Sequence, residues 1–262
     1  MFKFIRIAVL LFVLSSVAST LLLQRNIVRD WNGALDIRII PVVADKQDLT
    51  AQYVESLSQK DFADISKYLI LQAKRYDLNL QSSFNVKLEA AINKVPPPVP
   101  SHQASRFDIA LWSLKLKWWS WRNQLNDHHV AQIRLYILYQ TPNDSQPLPH
   151  STGLRNGLIG LVNARTQKQQ RTLHPIIITH ELLHIFGASD KYDISSGKPF
   201  FPDGFVEPQK KPIYPQRFAE IMARAIPVSE TKFNVVPRLS QTRIGAKTAQ
   251  EIGWLKLSDS VE

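Results

Sequence analysis

The chain contains no cysteine. That excludes disulfides, thiolate-held zinc and a cysteine nucleophile, so a metal here has to be held by imidazole and carboxylate. Methionine is nearly as scarce, with two residues, Met1 and Met222. Acidic residues are outnumbered, 22 against 32 basic, for a net charge of +10. A surface of that sign attracts anionic partners such as lipid headgroups or envelope polymers. Helix-turn-helix, zinc-finger and RNA-binding signatures are missing, and nucleic acid is not expected as a partner. No internal repeat is found. Hydrophobic residues make up 44% of the 262 residues, enough for one sizeable globular domain.

Long apolar runs are confined to the beginning of the chain. Lys3 and Arg6 precede a run from Ile7 to Leu23, long enough to span a bilayer as a signal anchor. The small residues Ser16-Val17-Ala18 offer the alternative of a cleaved signal peptide. Residues 1–24 are therefore expected to be a signal anchor or signal peptide, and residues 30–262 one globular domain. The expected location is the cell membrane, single-pass, with that domain on the extracytoplasmic (periplasmic) side.

Past the anchor, Ala34 to Val43 alternates as a strand does, and Leu49 to Leu80 has helical spacing with a break near Lys60-Asp61. Phe84 to Ile92 reads as a second strand, and Pro96-Pro97-Pro98-Val99-Pro100 as a stiff extended linker. Phe107 to Leu125 is a helix carrying Trp112, Trp118, Trp119 and Trp121, whose indoles are expected to wedge against a sheet. Val130 to Tyr139 and Gly157 to Asn163 are further strands. The segment after Asp190 is rich in Pro, Lys and aromatics and is expected to be mostly irregular. The fold class is α/β (α+β), a mixed sheet with a functional helix and an irregular lower part.

That helix carries His180-Glu181-Leu182-Leu183-His184, followed by Gly187 and Asp190. Residues four apart share a helix face, so His180 and His184 can aim both imidazoles at one ion. Glu181 falls beside the first ligand, where it can serve as general base toward a water without ligating. Gly187 suits the left-handed turn that ends a helix, and Asp190, three residues on, is placed to return as a third ligand. Three protein ligands with an open fourth position are the layout of a catalytic zinc site. Pro175 to Thr179, with Leu182, Leu183, Ile185 and Phe186, makes this helix apolar, a costly setting for two imidazoles and a carboxylate without a use. His102, His128, His129, His150 and His174 lack ligand spacing and read as loop or capping residues. Asp193 reads as a solvated loop residue or as an acceptor that orients one imidazole.

The HExxHxxGxxD pattern resembles the metzincin clan of zinc endopeptidases, within which the snapalysins place Asp in the third ligand position. The stretch from Trp112 to Trp254 also resembles a group of uncharacterised bacterial proteins with the same HELLH, DKYD, YPQ and EIM blocks. The clan resemblance implies a zincin fold, Zn2+ held by His180, His184 and Asp190, Glu181 as catalytic base, and a protein or peptide substrate. It also implies a methionine in a tight turn beneath the metal, a role that Met222 fits. The clan's usual oxyanion tyrosine follows the methionine, where this chain has Ala223 and Arg224, and neither Tyr192 nor Tyr214 matches that position. Glu220 stands as an alternative third ligand, after another zincin class that takes its Glu from a second helix. Two other functions fit the same residues: a non-proteolytic zinc-binding interaction protein, and an envelope peptide amidase.

Overall fold

The computed structural model describes residues 4, 6, 7, 31, 33–78, 80, 84–101, 103–123, 133–143, 148–154, 157–167 and 171–256. Its centre is a five-stranded sheet of β1 (Leu35–Val43), β2 (Phe84–Leu88), β3 (Ile133–Gln140), β4 (Thr152–Leu154) and β5 (Ile159–Arg165). The strand order is β2-β1-β3-β5-β4; β4 alone runs antiparallel, on the edge beside β5. Parallel strands need long crossovers that cover both faces, which is why β1, β3 and β5 are apolar almost throughout.

The period of two assigns each side chain to a face. Ile37, Ile39, Ile133, Leu135, Ile137, Tyr139, Val162 and Ala164 join one core cluster with Leu182, Leu183 and Ile185. On this side lie α1 (Asp48–Glu55), α2 (Ala63–Lys74) and α4 (His174–Phe186). Ile40, Val42, Tyr136, Ile159 and Leu161 join the other cluster with Trp112 and Leu116 of α3 (Arg106–Arg122). Ser105 caps α3 reciprocally with Asp108, and the Trp112 indole donates to Pro97 O (3.1 Å), tying the proline linker to the helix. Because β1, from before the linker, sits between β2 and β3, the residues on either side of the prolines build one sheet.

Below the sheet, short pairs replace long strands: β6 (Ala219–Glu220) with β9 (Thr242–Arg243), and β7 (Ala225–Pro227) with β8 (Phe233–Val235). A six-residue helix, α5 (Ala246–Glu251), comes after β9.

Two expectations are corrected. No helix among the described residues is long and apolar enough to cross a membrane, so the single-pass membrane location is withdrawn; residues 8–23, on which it chiefly rested, lie outside the described residues. The indoles of α3 are not all wedged inside. Trp112 is buried and Trp119 half-buried, whereas Trp118 and Trp121 are 58% and 67% exposed. The tryptophans are too closely spaced for one helical face to hold them all.

Candidate metal centre

Helix α4 is buried along nearly its whole length, from His174 and Pro175 to Ile185 and Phe186. Proline in the first turn costs no hydrogen bond, because N–H groups there have no helical partner. The helix ends at Gly187, whose φ of 110° is left-handed, a conformation that a β-carbon would disfavour. There the Ala188 N–H donates to Leu183 O (2.9 Å) and the Gly187 N–H to Leu183 O (3.0 Å), closing the last turn. The chain is thereby folded back over its own helix, and the next residues return toward the histidines.

Both imidazoles are oriented by backbone carbonyls. His180 Nδ1 lies 3.1 Å from Ile221 O, and His184 Nδ1 lies 2.8 Å from Ala188 O. A carbonyl can only accept, so each Nδ1 carries its proton, and in the neutral imidazole each Nε2 presents a lone pair. Those two Nε2 atoms are 3.1 Å apart, and Asp190 Oδ1 lies 3.1 Å from one and 3.3 Å from the other. Three acceptor atoms facing one another repel unless a cation sits among them. Ligands at about 2.0–2.1 Å around a tetrahedral zinc are separated by ~3.3 Å, close to the observed triangle. The residues present therefore fit zinc. Asp190 Oδ1 and Glu181 Oε2 are both buried without a donor, as expected of atoms meant for a cation and for water.

Glu181 also lies close, its carboxylate within 4.8 Å of both imidazole ligand atoms. Of the two acids, it is Asp190 whose oxygen stands 3.1 and 3.3 Å from the two Nε2 atoms, the spacing expected around a shared ion. Glu181 is buried, and burial pushes its carboxyl up to about 7; the Asp190 charge pushes the same way, and the charges of His184 and Arg224 oppose. A carboxylate so raised is matched to taking and giving a proton near neutrality. Burial also raises Asp190, but an imidazole beside it, when protonated, outweighs that and holds the group well below the usual carboxylate range. Burial lowers His180, and Asp190 only partly offsets that. For His184 the order reverses: Asp190 and Glu181 raise it against the effect of burial.

The structure brings Met222 to this centre as well. It is fully buried in a turn, closed by the Ala223 N–H donating to Glu220 O (2.9 Å), and its own carbonyl accepts from the Lys191 N–H (3.1 Å). Its neighbour Ile221 supplies the carbonyl that orients His180. The alternative ligand Glu220 is committed elsewhere. Its buried carboxylate accepts from the N–H groups of Met222, Ala223 (3.1 Å) and Gly245 (3.1 Å) and from Thr248 Oγ1 (2.8 Å). It ties the Met222 turn to the first turn of α5 and lies on no second long helix. Asp193 is likewise occupied, by Ser195 and Ser196, so it orients neither imidazole.

Tyr214 packs against Phe205 (ring centroids 5.9 Å) in a separate apolar cavity. Tyr192 lies beneath the Arg224 guanidinium, 5.8 Å from the ring centroid. His174, expected as a loop or capping residue, is the first residue of α4 and is buried against Tyr139 (5.4 Å), with burial pulling it down to about 4. His102, His128 and His129 lie outside the described residues.

Strand β4 is among the elements that sequence reasoning missed, because three residues are too few to show a period. It borders the centre in a cleft of about 390 Å3 shared with Glu181, His184 and Asp190. A β-carbon on Gly153 would come within 2.5 Å of Glu181 O and 3.0 Å of His184 Cβ. Gly153→Ala is therefore expected to push β4 off α4 and to cost ~1–3 kcal/mol, read as a lower midpoint in urea. An unchanged midpoint would mean that this contact is loose.

No family model matches the chain, and no curated protein matches it either. Among solved structures it is similar to one described as "Structure of a chaperone-substrate complex", at 13% identity and a TM-score of 0.40 over 84% of this chain. The chain covers 33% of that structure's chain. So distant a likeness carries no reading of the site.

Proposed function

We propose that this chain is a zinc-dependent peptidase of metzincin-like type, with His180, His184 and Asp190 as ligands and Glu181 as general base. The observation that carries the reading is the triangle of three mutually facing acceptor atoms beside a buried carboxylate. Zinc held there would polarise a peptide carbonyl and lower the pKa of a water toward neutrality. Glu181 would take a proton from a water at Oε2 as the water oxygen bonds to the carbonyl carbon, and give that proton to the amine nitrogen as the C–N bond breaks. The charge of Arg224 is felt at Glu181 and favours the ionised form that accepts the proton.

The setting also suits a peptide. β4 is the last strand of its sheet, and an extended chain can add to such an edge through main-chain hydrogen bonds. On the far side of β4 a groove of about 860 Å3, sharing Ser151 and Thr152 with the metal cleft, is walled by Pro97, Trp112 and Leu154. Alternate side chains of an added strand would point to opposite faces of the sheet, one set toward the metal and the other into that groove.

The purified protein is expected to hold one zinc by elemental analysis and to hydrolyse casein. A chelator such as 1,10-phenanthroline should abolish the hydrolysis, and added zinc should restore it. Retained zinc without hydrolysis of casein or of peptidoglycan peptides would instead make the chain a binding protein. Cleavage of the peptidoglycan peptides alone would make it an envelope amidase. Casein hydrolysis indifferent to the chelator would end the metal reading.

A further inference from the structure

Helix α3 has two apolar faces, and among the described residues only one is packed. Trp112, Leu116 and Ser120 are buried on the sheet side. On the opposite side Phe107, Leu111, Leu114, Trp118 and Trp121 are 75%, 42%, 59%, 58% and 67% exposed. They succeed one another at intervals of four, three, four and three residues, which keeps them in one stripe along a helix. From Phe107 to Trp121 that stripe runs about 21 Å at 1.5 Å per residue. A row of large apolar side chains of this size marks a contact surface. Isolated exposed residues would not.

What covers it is indicated by charge. Helical geometry puts Arg106 and Lys117 along one border of the stripe and Lys115 and Arg122 along the other. The helix's one acidic residue, Asp108, is engaged with Ser105 at the first turn. A second copy set symmetrically on this face would bring like charges together, in a chain whose net charge is +10. An anionic surface meets the opposite condition. Tryptophan favours the boundary between water and lipid, where its ring is apolar and its N–H stays wet. Lysine and arginine stems lie along apolar surface while their heads reach phosphate. Arg122 already places its guanidinium over the Trp118 ring, 5.3 Å from the centroid.

We propose that the exposed face of α3 lies on an anionic phospholipid surface, with Phe107, Leu114, Trp118 and Trp121 at the acyl boundary and the flanking cations on the headgroups. This arrangement resembles an interfacial amphipathic helix. It is carried by the surface of α3 alone and stands apart from the chemistry of the metal centre.

The test uses the full chain with vesicles of phosphatidylglycerol whose acyl chains are brominated near the headgroup, because bromine quenches only the indoles that enter the lipid. Quenching of tryptophan fluorescence is expected with these vesicles and should be mostly lost in W118F/W121F, both positions being exposed and the folded core untouched. K115E/R122E should weaken the quenching, as should brominated phosphatidylcholine in place of phosphatidylglycerol. Attachment through any other part of the chain cannot mimic a signal that depends on these two indoles. No quenching, equal quenching in W118F/W121F, or equal quenching by phosphatidylcholine would each overturn the proposal. So would sedimentation equilibrium showing a dimer that Leu114→Ser dissociates, since the face would then belong to a second copy.

Discussion

Glu181→Gln is expected to lower peptide hydrolysis by ~10²–10⁴-fold or more with the zinc still bound. Glutamine keeps the size and polarity of the side chain but cannot accept the proton at Oε2. The ligand triangle of His180, His184 and Asp190 is untouched, so metal content should stay at one equivalent. The comparison also decides between the two acids near the imidazoles. If Glu181 and not Asp190 were the third ligand, zinc would fall together with activity. Hydrolysis within a few-fold of the unaltered protein would remove Glu181 from the chemistry.

Asp190→Ala and Glu220→Ala are expected to fail in opposite ways. Without Asp190 two imidazoles remain, and zinc affinity should fall by more than the 10–100-fold typical of losing a mere supporting partner, with the protein still folded. Without the Glu220 carboxylate the N–H groups of Met222 and Gly245 and the Thr248 hydroxyl lose their acceptor, while the Ala223 N–H keeps the carbonyl of residue 220. At about 1–3 kcal/mol for each buried group left unsatisfied, partly relieved by water, the loss should be on the order of 3–5 kcal/mol. For a chain of this size that is a fall in melting temperature of about 10 °C. Titration with zinc under folding conditions, set beside thermal unfolding of both variants, separates the two. Loss of zinc in the Glu220 variant at unchanged stability, with Asp190→Ala still binding, would reverse the assignment.

The contrast between these two acids shows what was legible along the chain. The pair His180 and His184 could be read because a helix repeats every 3.6 residues, and Gly187 because a helix end needs a left-handed residue. Asp190 could be placed from its distance to that turn. The partners of Glu220 could not be read: Gly245 and Thr248 meet it only through tertiary folding, and an N–H donor leaves no mark in a sequence. The groups that orient the imidazoles, Ile221 O and Ala188 O, are main-chain atoms, invisible for the same reason. The sheet and its helices announced themselves through periodicity, whereas β4 is too short to have any. The tryptophans of α3 misled because a helix apolar on both sides has no preferred direction, and its sequence does not say which side meets the sheet.

Asp190 stands between two residues that are both fastened to Glu251. The Ser189 N–H and hydroxyl donate to it (2.9 Å each), and so does Lys191 Nζ (2.7 Å). Glu251 is the last residue of α5, the same six-residue helix whose first turn holds Glu220. One short helix thus clasps both the loop that carries Asp190 and the turn that carries Ile221 O. During synthesis the two histidines emerge long before this clasp, which lies 60 residues beyond Lys191. On the proposed reading, a growing chain would display the pair of imidazoles first and complete the three-point site only when α5 docks. If the proposed centre holds zinc, metal capture would come late in folding, and a chain shortened ahead of α5 would keep the HExxH helix yet hold the ion poorly.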